Sequence, residues 1–407
     1  MASKELAPDE KLALIKDQLA EVMRPDIIEK IVLEEKRPLV IYWGTATTGR
    51  PHCGYFVPMM KIAQFLRAGC QVKILLADIH GFLDNLKAPI ELVRYRAQYY
   101  KFIIQSLLKS VGVSLDKLDF VLGSSYQLSS EYTMDIFRLS SMVSEHDAKK
   151  AGAEVVKQSE NAPLSGLLYP LMQALDEQHL GVDAQFGGVD QRKIFALATE
   201  TLEKVGYKVR AHLMNPMVPG LAGGKMSASD PDSKIDILDP AEVVRKKLRK
   251  AYAAAKEVQG NGIISFVEYV LLPLSALKNE GKAVFSIERH EGEPLVYYDI
   301  DSLKIDYEAD KLTPQLLKQG ATAALVDLLA PIQAEYQASP EWQEIEKKAY
   351  PPAEVKQKKK PKDKGSRYPG AGNVKDQADG SVEKEKVQVS TGAEAAIAKL
   401  AIDRDDS

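Results

Sequence analysis

The run Ile41-Tyr-Trp-Gly-Thr-Ala-Thr-Thr-Gly-Arg-Pro-His-Cys-Gly-Tyr55 passes from a short apolar strand, Leu39 to Trp43, through Gly44, three threonines and Gly49 into a helix. Pro51 suits a first-turn position, and Phe56, Met59, Met60, Ala63 and Leu66 follow at helical spacing. Strand, glycine-rich loop and helix together present backbone N–H groups and a positive helix end to a phosphate. Gly44 and Gly49 have P-loop spacing, but Arg50-Pro51 stands where Lys-Ser/Thr is needed. Proline offers neither an N–H nor a hydroxyl for magnesium, so the P-loop reading fails. His52 is expected in the first helical turn, where an imidazole can donate to a phosphate oxygen. Gly54 leaves room for a flat ring such as adenine. A turn histidine and a packing glycine explain the same two residues.

A second stretch, Gly223-Gly-Lys-Met-Ser-Ala-Ser-Asp230, offers a glycine entry, a lysine and two serines. Together the two stretches resemble the HIGH and KMSKS signatures of class I aminoacyl-tRNA synthetases. From about Asp26 to Pro331 the chain resembles the eukaryotic-type, cytoplasmic tyrosyl-tRNA synthetases, of the fungal kind.

Alternation of strands and helices independently predicts an α/β fold, a doubly wound parallel sheet. Lys11 to Met23 reads as an amphipathic helix. Gln71 to Ala77 reads as a buried strand followed by Asp78 and His80, either a capping carboxylate and a loop histidine or ligand contacts at the edge where open parallel sheets place ligands. Glu91 to Ser110 reads as a long helix, and Phe120 to Leu122 as another strand. Helix-like sequence from 131 to 163 interrupts the alternation; Met134, Ile136, Phe137, Leu139 and Met142 either supply apolar surface there or pack in the core. Lys208 to Met214 reads as the last core strand. From Pro240 the chain becomes helical and charged, with a basic run Arg245-Lys-Lys-Leu-Arg-Lys250. After Ala349, lysines among prolines and glycines lead into a polar end, read as a disordered basic tail. The expected organisation is a Rossmann-like catalytic domain over 1–239, a helical domain over 240–348 and the tail over 349–407. The resemblance makes the 131–163 insertion a dimer interface and the helical domain an anticodon-binding one.

Composition constrains the class. Lys and Arg number 54 against 57 Asp and Glu, a net charge of −3, so any nucleic-acid surface must be local. Two cysteines, Cys53 and Cys70, exclude a disulfide framework and imply a reducing compartment. The N-terminus reads as neither a signal nor a transit peptide, and no stretch is apolar enough to span a membrane. A cytoplasmic protein is expected, and the basic run reads as a solvated face, a tRNA backbone contact or a nuclear-import signal.

Gly166 to Glu177 reads as a helix with Pro170 near its start. Tyr169, Gln173 and Asp176 fall at i, i+4 and i+7, on one face. Such a polar stripe is either solvated or the wall of a polar-bottomed pocket, in which Asp176 accepts from a phenolic O–H and Tyr42 makes a second contact. A pocket whose buried groups are committed to one hydroxyl rejects the analogue lacking it by about 10⁴–10⁵. Val182 to Gln191 reads as strand, glycine turn and helix start.

Carried residue by residue, the resemblance implies Tyr42, Tyr169, Gln173, Asp176 and Gln191 as L-tyrosine contacts. It implies Gly44, Thr47, His52, Gly54, Gly188, Asp190, Lys225 and Met226 as ATP contacts, with His52, Lys225, Ser227 and Ser229 catalytic. The implied reaction is two-step ligation of tyrosine to tRNA(Tyr) through tyrosyl-adenylate, with Mg²⁺ carried on the ATP phosphates, in a homodimer. Holding reactants in line and stabilising phosphate charge suffices for the first step. Tyr55 replaces the second histidine of HIGH and Ala228 the second lysine of KMSKS, which shifts pyrophosphate stabilisation onto Lys225. Leu316 stands where the family carries a wobble-base aspartate, and a partner aromatic is replaced near Glu291. The rival readings are the sister enzyme for tryptophan, a non-catalytic RNA-binding paralogue and a nucleotidyltransferase. Asp176 with Tyr42 argues against the first, His52 with Lys225 against the second, and the C-terminal half against the third.

Overall fold

The structure, a computed structural model, describes residues 6–84, 89–156, 163–220, 234–279 and 281–351. In chain order its first elements are α1 (Pro8–Lys16), β1 (Glu21–Met23), α2 (Pro25–Glu29), β2 (Val40–Ala46), α3 (Phe56–Arg67), β3 (Gln71–Ala77), α4 (Asp78–Leu83), α5 (Ile90–Ser110) and β4 (Leu118–Leu122). Next come α6 (Ser124–Gln127), α7 (Ser130–Ser140), α8 (Glu145–Gly152), α9 (Ser165–His179), β5 (Ala184–Gly188), α10 (Arg192–Thr201) and β6 (Ala211–Asn215). The sheet runs β1-β6-β5-β2-β3-β4. Every pairing is parallel except β1 on β6. The chain leaves central β2 towards β3 and β4 and later returns to its other side as β5 and β6. The switch point therefore lies between β2 and β5, where such sheets hold ligands at their carboxyl ends.

Ile41, Tyr42 and Trp43 are all buried, as a strand covered on both faces requires. Helix α3 is buried nearly all round, including Lys61, whose ammonium donates to the carbonyls of Leu14 (3.0 Å) and Asp17 (2.6 Å). Burial pushes that ammonium down to about 7. Helix α9 is tied from three sides: the single proton of Tyr132 Oη is shared between Met172 O (2.8 Å) and Asp176 Oδ1 (2.9 Å), Tyr42 donates to Gln173 O (3.2 Å), and Glu177 pairs with His212 of β6 at 2.7 Å, both fully buried.

Several expectations change. Strand β2 does not break at Gly44 but continues to Ala46, since its residues pair with β3 as far as Ala77. The helix expected over Lys11 to Met23 ends at Lys16; Gln18 turns the chain at φ +54°, and Glu21–Met23 add to the open edge of β6. His52 does not lie within a helical turn. It sits in extended backbone as the cap of a 3-10 turn, Cys53–Tyr55, and α3 starts only at Phe56. Leu139 belongs to the core and Ile136 packs against it, leaving Met134, Phe137 and Met142 exposed. Cys53 and Cys70 are unpaired and buried.

The C-terminal region holds α11 (Ala241–Lys250), α12 (Gly262–Phe266), α13 (Leu272–Lys278), β7 (Phe285–Ile287), β8 (Leu295–Tyr297), α14 (Ile300–Glu308), α15 (Pro314–Ala338) and α16 (Pro340–Ala349). It is thus not purely helical. The hairpin β7–β8 turns at Gly292 (φ +85°) and buries Phe285, Ile287 and Tyr297. Gly320 of α15 permits this, because a Cβ there would stand 2.7 Å from Ile287. The expected tail lies outside the described residues apart from its first few positions. Among the described residues no helix is long and apolar enough to cross a membrane.

Candidate functional site

A cavity of about 290 Å³ opens at the carboxyl ends of β2 and β5, lined by Tyr42, Gly44, Tyr55, His80, Tyr169, Gln173, Asp176, Gln185 and Gln191 among others. All five residues expected to hold tyrosine line this one space. The stripe on α9 is therefore a pocket wall and not a solvated face: Tyr169, Gln173 and Asp176 are all buried.

Asp176 is the pocket's most constrained group. Its Oδ1 accepts from Tyr126 Oη (2.7 Å), Gln127 Nε2 (2.8 Å) and Tyr132 Oη (2.9 Å). Its Oδ2 is buried without a hydrogen-bond partner, and His80 Nε2 stands 3.8 Å away. Burial pushes the carboxyl up to about 7, against the three donors, which favour the charged form. A buried acceptor left open in this way costs stability unless something fills it. Tyr42 Oη, by contrast, is engaged with Gln173 O, and burial with nearby Asp176 raises its pKa well above the usual range.

Gln173 Nε2 donates to Gln191 Oε1 at 2.7 Å, linking α9 to the β5 turn. Gln185 lies opposite Tyr42 in the β2–β5 register, and its Oε1 is buried without a partner. His80 packs edge-on against Tyr169 with ring centres 4.6 Å apart, and burial pushes it down to about 4. The space above the glycine turn is taken by side chains: a Cβ on Gly187 would stand 2.8 Å from Gln191 Oε1, and one on Gly188 would stand 2.5 Å from Asp190 Oδ1.

Of the residues expected to hold ATP, Gly44 lines the cavity, while Thr47, His52, Gly54, Gly188 and Asp190 do not. Thr47 is fully buried, with its hydroxyl 3.5 Å from Val93 O. His52 Nδ1 accepts from Gly54 N at 3.2 Å, so the ring proton sits on Nε2. Burial, with Lys234 nearby, pushes His52 down to about 4, so it is neutral near pH 7. Tyr55, at the second signature histidine, donates to or accepts from Thr45 Oγ1 at 2.9 Å and stands edge-on to Trp43, Tyr100 and His52. Lys225, Met226, Ser227 and Ser229 lie outside the described residues.

Sequence reasoning missed Tyr126, Gln127, Tyr132 and Gln185. Tyr126 and Gln127 had a usable signal, since they follow β4 at the carboxyl edge of the sheet. Gln185 had another, as a lone amide in an otherwise apolar strand.

The family model for class I tRNA synthetases (W and Y) matches residues 34–330. The cytoplasmic tyrosine–tRNA ligase of Saccharomyces cerevisiae is 56% identical over 371 residues, 89% of this chain and 94% of that protein. The protein of the same name from Danio rerio is 54% identical, over 85% of this chain and 64% of its own longer one. The solved tyrosyl-tRNA synthetase of Archaeoglobus fulgidus, complexed with L-tyrosine, superposes with a TM-score of 0.73 at 34% identity, covering 81% of this chain and 99% of that one. A switch-point pocket with an open buried carboxylate, set in a sequence this close to those relatives, leaves one assignment: the chain belongs to the eukaryotic-type tyrosyl-tRNA synthetases of class I.

Proposed function

We propose that in this tyrosine–tRNA ligase, working in cytoplasmic translation, the phenolic hydroxyl of tyrosine donates to Asp176 Oδ2. The single observation that supports this is the state of that carboxylate, in a residue that lines the cavity: one oxygen contacted by three donors, the other buried and unpartnered. Tyr42 turns its hydroxyl from Gln173 O to donate to the phenol oxygen, Tyr169 and Gln173 hold the α-amino end, and Gln191 also contacts the tyrosine. Phenylalanine would leave Asp176 Oδ2 open, which is how one hydroxyl decides the substrate.

In the first step a tyrosine carboxylate oxygen attacks the α-phosphorus of ATP, an O–P bond forms, and pyrophosphate leaves. ATP arrives as its magnesium complex, as phosphate substrates commonly do. Neutral His52 donates through Nε2–H to the phosphates, Gly188 and Asp190 take the ribose, and Gly44, Thr47, Gly54 and Met226 complete the nucleotide contacts. Lys225, Ser227 and Ser229 stabilise the departing pyrophosphate. In the second step a terminal ribose hydroxyl of tRNA(Tyr) attacks the tyrosyl carbonyl and AMP leaves. Residues 240–348 form the anticodon-binding domain, in which the exposed cations of α11 contact the tRNA backbone. Met134 and Phe137, 51% and 61% exposed, supply the face of a homodimer.

The test is Asp176→Asn in ATP–pyrophosphate exchange. Tyrosine kcat/KM should fall about 10- to 150-fold, the scale of a charged buried hydrogen bond, and discrimination against phenylalanine should shrink with it. Unchanged discrimination would remove Asp176 from the phenol site.

A further inference from the structure

The loop from Thr48 to Pro51 joins β2 to the cap residue His52 and makes little regular structure of its own. Its carbonyls are taken by side chains from elsewhere. Thr48 O accepts from Arg96 Nη1 of α5 at 2.7 Å. Gly49 O accepts from Tyr100 Oη of α5 at 2.8 Å and from Tyr350 Oη at 2.6 Å. Arg50 Nη1 meets Glu346 Oε1 of α16 at 2.6 Å. Tyr350 lies just past α16, and its ring receives the guanidinium of Arg50 at 4.4 Å and that of Arg96 at 5.1 Å. Arg96 Nε also bonds Ala349 O at 3.1 Å, locking the end of α16. Glu346 is held in turn by Tyr336 Oη of α15.

We propose that Tyr350 and Glu346 are positioning residues for adenylation: the C-terminal strap that carries them sets the Gly49–Arg50 turn and so the place of His52. This rests on the reading that His52 serves the ATP phosphates. The geometry gives it force. His52 is two residues beyond Arg50, its extended backbone pairs in an antiparallel bridge with Asp236, and its side chain bonds Gly54 N within the same turn. The turn and the 235–236 segment are thus the two anchors of His52; a shift of the turn reaches the imidazole through Pro51, and a misplacement of about 1 Å can cost about 10²-fold in rate. The tyrosine pocket, built on α9 and β5, takes no residue from the strap.

The test uses the full chain with Tyr350→Phe, which keeps the ring between the two guanidiniums and removes only the bond to Gly49, and Glu346→Gln, which removes the charge facing Arg50. His52→Gln is the control. ATP–pyrophosphate exchange gives KM and kcat for each substrate, and thermal unfolding reports stability. Each strap variant should lower kcat/KM for ATP about three- to tenfold, the scale of one hydrogen bond, while the tyrosine KM stays at the wild-type value. Normal ATP kinetics in both strap variants, with His52→Gln impaired, would overturn the strap and leave the nucleotide reading standing. Equal losses for both substrates with a lowered melting temperature would make the strap structural only, which also overturns it. Normal ATP kinetics in His52→Gln would remove the nucleotide reading and the strap with it.

Discussion

Burial pushes the Asp176 carboxyl up to about 7 and pushes His52 and His80 down to about 4. Between pH 5 and 8 both histidines stay neutral, so the titration seen by the tyrosine pocket is that of Asp176. Below pH 7 the carboxyl is increasingly protonated and loses acceptor strength at Oδ2. The tyrosine Kd should therefore rise as pH falls through about 7, by up to about tenfold per unit. Equilibrium dialysis across pH 5.5–8.5 checks this, and a flat profile would contradict it. Tyr126→Phe removes one donor that favours the charged form, so the midpoint should move to higher pH in the same titration. An unmoved midpoint would mean that Tyr126 does not tune the carboxylate. Asp176, Gln173 and Tyr169 were legible in the sequence because one helical period puts them on one face. Tyr132 was not, because its meeting with Asp176 depends on how α7 packs against α9. Gln185 depends likewise on which strand lies beside β2.

Helix α16 shows what an element does beyond its own length. Trp342 is fully buried, and its ring stacks on Phe102 of α5 at 5.4 Å with planes 13° apart. Its Nε1 has no hydrogen-bond partner. Trp342→Ala should destabilise the protein by about 3–5 kcal/mol through the cavity left behind. Trp342→Phe keeps an aromatic face and removes the unpartnered N–H, so it should cost far less. Denaturant unfolding of both variants checks the difference, and equal losses would contradict the packing described for this residue. The longer elements, β3, α5 and α9, were legible because apolar periodicity accumulates over many residues. The three-residue strands β1, β7 and β8 are too short to carry a period. What makes them strands is an external edge: β6 for β1 and the surface of α15 for the hairpin.

At the scale of the whole molecule, alternation made the doubly wound sheet legible, but not its order or the antiparallel edge strand, since strand neighbours are chosen by packing between distant segments. The end of the folded unit needed the structure too. Tyr350 reaches back to Gly49, so contacts among the described residues continue past Ala349. A chain ending at Pro352 should retain tyrosine-dependent exchange within about twofold; loss of exchange would give the remaining residues a catalytic role. Phe137→Glu should convert the proposed homodimer to a monomer in sedimentation equilibrium, because a charge replaces an exposed apolar side chain at the proposed interface. A wild-type monomer would contradict that interface. The most direct measurement is ATP–pyrophosphate exchange with each of the twenty amino acids and no tRNA present. Exchange supported by tyrosine alone is the expected result. Exchange with tryptophan, or none from folded protein that still binds tRNA, would contradict the role given to Asp176 and the pocket built around it.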